Sequence, residues 1–255
     1  MTSRLTHIPF YLLAIALLTP RPLLAQPSGY KNADFDITAA SVTHLADLDL
    51  LVFEQQVAGT AGRTTPTPRG QLDGAPVLGH VFPTSLAPAA VGFGSATGIV
   101  ALAVTSHPDF YDTPLWDENG DGNYGNDGVT WHTHWVVLGK DARVPGGLSV
   151  KEFRKTDAVV LPPTNPGMPM YMDSPGYAVT TRASTLRVLV PVSRLTLDAA
   201  GPPSFTFDAV TCYMRVSAPA DAHSGTRDVP MLGVYEVFDV LSGNLSLPYT
   251  VSRQP

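Results

Sequence analysis

The chain has 255 residues, of which 44% are hydrophobic and only 15% are charged. It is therefore apolar enough to bury a sizeable core. Its 22 glycines and 24 prolines interrupt helices, and this composition favours an all-β protein with long loops. The formal net charge is −6, and lysine and arginine are not clustered, which excludes nucleic acid as an expected partner. Cys212 is the only cysteine, so the chain cannot form an intramolecular disulfide.

Residues 1–25 have the three parts of a secretory signal peptide. Arg4 supplies the positive charge, residues 8–18 form an apolar run, and a small-residue cleavage site ends at Ala25. The apolar run is too short to span a membrane, and Pro20 and Pro22 follow it. We therefore expect a secreted or periplasmic protein with no membrane span after the signal is cleaved.

Short strand-like runs separated by glycine and proline turns fill residues 26–255. The run at 99–105 is continuously apolar, which predicts a strand buried on both faces. Alternating apolar and polar residues predict further strands in the last third, at 185–191, 205–216 and 229–241. Other candidate strands lie at 33–42, 48–57, 75–82, 129–138, 148–153 and 245–251. We predict a single domain over 26–255, an antiparallel β-sandwich or jelly roll with long Gly/Pro-rich loops and little helix.

An acidic loop in the middle of the chain has the spacing of a cation site. Asp117, Asn119 and Asp121 alternate and are followed by Gly122, which forms the pattern DxNxDG. These residues resemble the first half of an EF-hand or dockerin-type calcium loop, whose oxygen donors surround the ion while the glycine permits a sharp turn. The resemblance implies a calcium ligand set of Asp117, Asn119, Asp121 and Asp127, although Gly128 stands where an EF-hand has its final glutamate. A solvated surface turn uses the same residue types and is the alternative.

A histidine-bearing strand follows this loop. Side chains alternate between the two faces of a strand, so His132 and His134 are expected on one face and Trp131 and Trp135 on the other. Neutral imidazoles on adjacent positions of one face suit zinc or copper. A complete site needs further donors, and candidates are His107, Asp109, Asp112, His44, His80 and His223. The alternative is that both histidines are half-buried strand residues bonded to the backbone.

Two other patterns concern polar or soft side chains. Met168, Met170 and Met172 alternate in a proline-rich loop, a spacing of soft donors that is found in copper(I) sites. The same methionines could simply fill an apolar groove. Near the start of the mature chain, Asp34 and Asp36 flank Phe35, and we expect both carboxylates to face solvent.

Three functions compete on these patterns. The leading hypothesis is a non-catalytic exported protein in which calcium makes the acidic loop rigid, so that Trp116, Tyr124 and Trp131 meet a carbohydrate or protein partner. The second is a copper- or zinc-binding protein that uses the two strand histidines and the methionine loop. The third is a metal-dependent hydrolase with Asp109 or Asp112 as its base, although HExxH and GxSxG motifs are absent from the sequence.

Overall fold

A computed structural model of the chain describes residues 27–113, 121–123, 130–154, 156–197, 201–218 and 228–255. The predicted signal peptide lies outside these residues, as do Asp117, Asn119 and Asp127 of the predicted calcium loop. Among the described residues, no helix is both long and apolar enough to cross a membrane.

The structure is almost entirely β, which confirms the predicted fold class. The strands in chain order are β1 (Ile37–Leu45), β2 (Leu50–Val57), β3 (Pro76–Pro83), β4 (Ile99–Ser106), β5 (His132–Lys140), β6 (Leu148–Val150), β7 (Met172–Asp173), β8 (Ala178–Arg182), β9 (Thr185–Pro191), β10 (Thr206–Phe207), β11 (Val210–Val216), β12 (Leu232–Val240), β13 (Tyr249–Thr250) and β14 (Ser252–Gln254). Two short 3-10 helices, Pro88–Val91 and Val192–Arg194, complete the regular structure of the described residues.

The main sheet closes on itself, so the prediction of a sandwich or jelly roll was wrong and the architecture is a barrel. Its strands follow the order β4-β3-β11-β12-β6-β5, and β5 then pairs with β4. Strand β7 continues the pairing along the free part of β5, opposite Trp135 and Val136. Closure removes the exposed edges that an open sheet would carry.

A five-stranded sheet in the order β14-β1-β2-β9-β8 packs against the outside of this barrel. Its pairings are antiparallel except that of β1 with β14, which is parallel. The core between the sheet and the barrel is rich in aromatic rings: Phe53 from β2 meets Phe82 and Trp135 edge-on, at ring centroid distances of 5.3 and 6.2 Å. Trp131 belongs to this core and donates its indole hydrogen to the Gly62 carbonyl, so it is not exposed for the partner contact that the sequence suggested.

A second apolar cluster fills the inside of the barrel. Along β5, Trp135 and Val137 belong to the outer core, whereas Val136 and Leu138 belong to the inner cluster. The alternation of side chains in a strand therefore points His132 and His134, on the same face as Val136, into the barrel. The fold thus places the histidine pair inside the barrel, at the end where β5 begins.

Candidate metal centre

Strand pairing brings together four side chains that are distant in the sequence. Strands β4 and β5 are antiparallel, with Thr105 opposite His132 and Ala103 opposite His134. The end of β4 therefore lies beside the start of β5, and His107 follows β4 directly. The chain then turns back so that Asp112 reaches the same point.

These four residues, His107, Asp112, His132 and His134, form a compact buried group, which we call the His/Asp cluster. One donor atom from each lies within 4.8 Å of all the others. The Nε2 atoms of His107 and His132 are 2.8 Å apart. Oδ1 of Asp112 lies 3.4 Å from the first and 3.3 Å from the second, and Oδ2 lies 3.5 Å from Nε2 of His134. Each of the four residues is at most 8% exposed.

The opposite nitrogen of every ring is held by groups outside the cluster. His107 donates from Nδ1 to the Phe110 carbonyl at 3.1 Å, and His132 donates from Nδ1 to the Thr130 carbonyl at 2.7 Å. Nδ1 of His134 lies 3.1 Å from Oγ of Ser174 and 3.3 Å from the Asp173 carbonyl. A carbonyl can only accept, so these bonds place the hydrogen of each neutral ring on Nδ1 and leave a lone pair on each Nε2. Such contacts to the outer nitrogen are what fix ligand histidines in metal sites.

Electrostatics keep His134 and Asp112 in the protonation states that metal ligands need. Burial lowers the pKa of His134 to about 3, against the opposing attraction of Asp112, so the ring is neutral at ordinary pH. Burial alone would raise the pKa of Asp112, but the three histidine rings around it more than compensate and hold it well below its usual range. Within the described part of the chain, neither Oδ1 of Asp112 nor Nε2 of His134 has a hydrogen-bond partner. Two buried polar atoms are thus left for an occupant of the cluster.

The spacing of the donors agrees with a single small cation. Two donors that each lie about 2.0–2.1 Å from a tetrahedral zinc ion are roughly 3.3–3.4 Å apart. The distances from Asp112 to His107 and His132 fall in that range. The His107–His132 separation of 2.8 Å is shorter, so an ion would have to push these two rings slightly apart. The group can therefore hold a metal ion.

The other candidate ligands of the sequence lie elsewhere. Asp109 is three residues from Asp112 but accepts hydrogen bonds from the backbone nitrogens of Arg69 and Gly70, at 2.6–2.9 Å. It therefore cannot serve as a base at the cluster. Asp121 is exposed, and its Oδ1 accepts a hydrogen bond of 2.7 Å from the backbone nitrogen of Asn123. With Asp117, Asn119 and Asp127 outside the described residues, the calcium loop stays a prediction.

Neither of the other two described histidines joins the cluster. His44 lies with Nε2 3.3 Å from Asp49 on the outer sheet. His80 is fully buried on the outer side of the barrel, where it stacks on Phe35 and contacts Trp131 edge-on. His223 lies outside the described residues.

The methionines of the proline-rich loop lie inside the barrel. Met170 and Met172 are buried in the inner cluster, and Met168 packs against it. Met168 and Met172 line the same cavity as His134 and Asp112. The alternation of this loop therefore serves packing, and it also brings two thioethers to the cavity next to the cluster.

No protein-family model matches the chain, and neither curated proteins nor solved structures show significant similarity to it.

Proposed function

We propose that this chain is a metal-binding protein whose β-barrel holds one transition-metal ion, zinc being the first candidate, on His107, His132, His134 and Asp112. The observation that carries the proposal is the 2.8 Å approach of two Nε2 atoms whose rings both donate from Nδ1. Two lone pairs at that distance repel each other, and a nearby carboxylate adds further negative charge. A cation among them turns this repulsion into coordination.

The donor set favours a transition metal over calcium. Calcium takes six to eight oxygen ligands, whereas the cluster offers three imidazole nitrogens and one carboxylate. Imidazole suits zinc, copper, iron and nickel, and four protein donors match the tetrahedral sites that zinc forms. Four protein donors also argue for binding or structural stabilisation rather than hydrolysis, because hydrolytic zinc sites have three protein ligands and keep the fourth position for water.

Copper is the second candidate, and Met168 and Met172 favour it. Their thioethers lie in the cavity that His134 and Asp112 border. Soft thioether donors select copper(I), whereas zinc sites do not require them. Export of the protein, which residues 1–25 support, would fit either metal.

Elemental analysis of the purified full chain, made in medium that contains zinc, copper and calcium, tests the proposal. We expect about one equivalent of zinc per chain, and less than about 0.1 equivalent in His132→Gln and Asp112→Asn variants. His44→Gln is the matched control, because His44 is also a buried strand histidine beside an aspartate, and it should keep its metal. A proton shared between His107 and His132 would satisfy the same pair of atoms, so a metal-free protein would overturn the proposal and leave a shared proton as the explanation of this contact.

Copper in place of zinc would support the second candidate and overturn the first. If the Asp112→Asn and His132→Gln variants keep their metal, the metal binds outside the cluster and the proposed site is wrong. Circular dichroism of each variant checks that it has folded.

A further inference from the structure

The barrel is not filled beside the His/Asp cluster. A cavity of about 60 Å³ lies inside it, and apolar side chains from all six barrel strands form its wall. These include Val81 from β3, Ala103 from β4, Val136 from β5, Val150 from β6, Met214 from β11 and Val234 from β12. One water occupies about 10–15 Å³ of such a cavity, so the space would hold roughly four to six waters. Apolar walls give water few partners, so the cavity suits a small apolar molecule better.

The cluster closes one end of this cavity. His107, Asp112 and His134 belong to its lining, and Thr105 is the other polar residue there. In the described residues, Nε2 of His134 and Oδ1 of Asp112 are the buried atoms of this lining without a hydrogen-bond partner. A molecule in the cavity would therefore have hydrocarbon around most of its surface and the metal at one end.

Charge determines which end group fits best. A divalent ion with three neutral imidazoles and one aspartate carries a net charge of +1, and Asp112 is the one acidic residue among the described residues that line the cavity. An uncompensated charge inside an apolar barrel is costly. A single anionic oxygen group would neutralise it, and zinc accepts a fifth ligand.

We propose that the cavity binds a short-chain carboxylate of about three to six carbons, with its alkyl part in the barrel and its oxygen on the metal. This inference rests on the proposed metal-binding function. It assigns the barrel interior as a ligand site that is specific for a small apolar monoanion.

Titration calorimetry on the zinc-loaded full chain tests it, with acetate, propanoate, butanoate and hexanoate as probes. Affinity should rise about fourfold per added methylene until the cavity is full, as burial of each methylene predicts. Butylamine, which has the same apolar part and a positive charge, should not bind. With cobalt(II) in place of zinc, butanoate should shift the visible absorption bands, because its oxygen enters the coordination sphere.

A substitution that fills the cavity provides the matched variant. Val150 pairs with Leu138, beyond Val136 as seen from His134, so Val150→Phe should occupy the far end of the cavity and leave the ligands in place. We expect this variant to keep its metal and lose at least tenfold in butanoate affinity. Val160→Phe adds the same bulk at a residue that is 64% exposed and should change neither property.

The outcomes separate this inference from the function on which it rests. A protein that holds the metal but binds no alkanoate, or binds it equally well in Val150→Phe, overturns the ligand site and leaves metal binding intact. A protein without metal overturns the proposed function, and the metal-bound carboxylate with it.

Discussion

His107 and His132 face each other through Nε2 atoms 2.8 Å apart, while each ring is tied at Nδ1 to a backbone carbonyl close to it in sequence. Neither ring can turn its lone pair away without breaking that bond. The local chain thus holds the two Nε2 atoms face to face, and a positive charge between them, from a proton or a metal ion, would stabilise the arrangement.

The first prediction is that removal of a transition metal lowers the melting temperature. A ligand that binds only the folded state at 100 times its dissociation constant adds about 2.7 kcal/mol to the free energy of unfolding. For a domain of this size, that corresponds to roughly 5–10 °C. Differential scanning fluorimetry before and after treatment with a pyridine-based chelator that spares calcium measures the shift.

The controls for this measurement use zinc, calcium and one variant. Zinc should restore the melting temperature of the chelated protein, and calcium should not. Asp112→Asn should melt at the same temperature with and without zinc. A melting temperature that is unchanged by this chelator but falls with a chelator that also removes calcium would favour the predicted loop of Asp117, Asn119, Asp121 and Asp127 over the His/Asp cluster.

The second prediction concerns the group behind His134. Ser174 contacts Nδ1 of this ring at 3.1 Å, so Ser174→Ala leaves the weaker contact of 3.3 Å with the Asp173 carbonyl to orient it. Loss of such an outer contact typically lowers metal affinity about 10- to 100-fold, and we expect the lower end because one contact remains. Competition with a fluorescent zinc indicator measures the affinity.

Ser149→Ala is the control for Ser174→Ala. Ser149 is also buried, but its hydroxyl donates to Asp141 at 2.8 Å, away from the cluster. Its loss should leave zinc affinity unchanged even if it lowers stability. Equal affinities in both variants would show that Ser174 does not orient the ligand ring.

Sequence patterns predicted half of the cluster well. The alternation of a strand is local, so it placed His132 and His134 on one face without any knowledge of the fold. His107 and Asp112 were among the candidates, but selecting them requires the pairing of β4 with β5, which places Thr105 beside His132 on the neighbouring strand. No local pattern contains that register.

The distinction between Asp109 and Asp112 shows the same limit. Both acids follow His107 within a few residues, and their types do not separate them. Asp109 is occupied by backbone nitrogens of a loop about forty residues earlier, whereas Asp112 is buried against the histidines. The sequence likewise could not distinguish a barrel from a sandwich, because the alternation of side chains shows which face of a strand is buried and not which strand lies beside it.

The third prediction concerns Asp34, which is 1% exposed although its position beside Asp36 suggested a solvent-facing edge. Its carboxylate accepts hydrogen bonds from the side chains of Arg63 and Thr64 and from the backbone nitrogen of Thr60, all within 3.1 Å. Asp34→Asn weakens these bonds and should lower the free energy of unfolding by about 1–3 kcal/mol. Urea denaturation measures the loss.

Asp36→Asn is the control, because Asp36 is exposed and lies on the other side of Phe35. It should change stability by less than about 0.5 kcal/mol. Similar losses in both variants would mean that net charge, and not the buried network, determines the effect.

The last prediction is a pH dependence that originates at His80. This ring is fully buried; its Nδ1 donates to Oε1 of Gln55 at 3.0 Å, and Gln55 in turn donates to the Val81 carbonyl. Within the described residues, Nε2 of His80 has no hydrogen-bond partner, so a second proton there would be buried without an acceptor. Burial lowers the pKa of His80 to about 4, with Asp34 acting in the opposite direction.

Whether stability rises or falls with pH depends on whether the folded or the unfolded chain binds the proton at the higher pH. As the pH falls below the ordinary histidine pKa of about 6.5, the unfolded chain is protonated at this residue while the folded chain is not. Stability should therefore fall between pH 6.5 and 4, by up to about 3 kcal/mol from this residue alone. His80→Leu removes the titration, so its free energy of unfolding should depend less steeply on pH over this range, even if it is lower at pH 7. His134 titrates equally in both proteins, so the difference between the two curves isolates His80, and parallel curves would contradict the assignment.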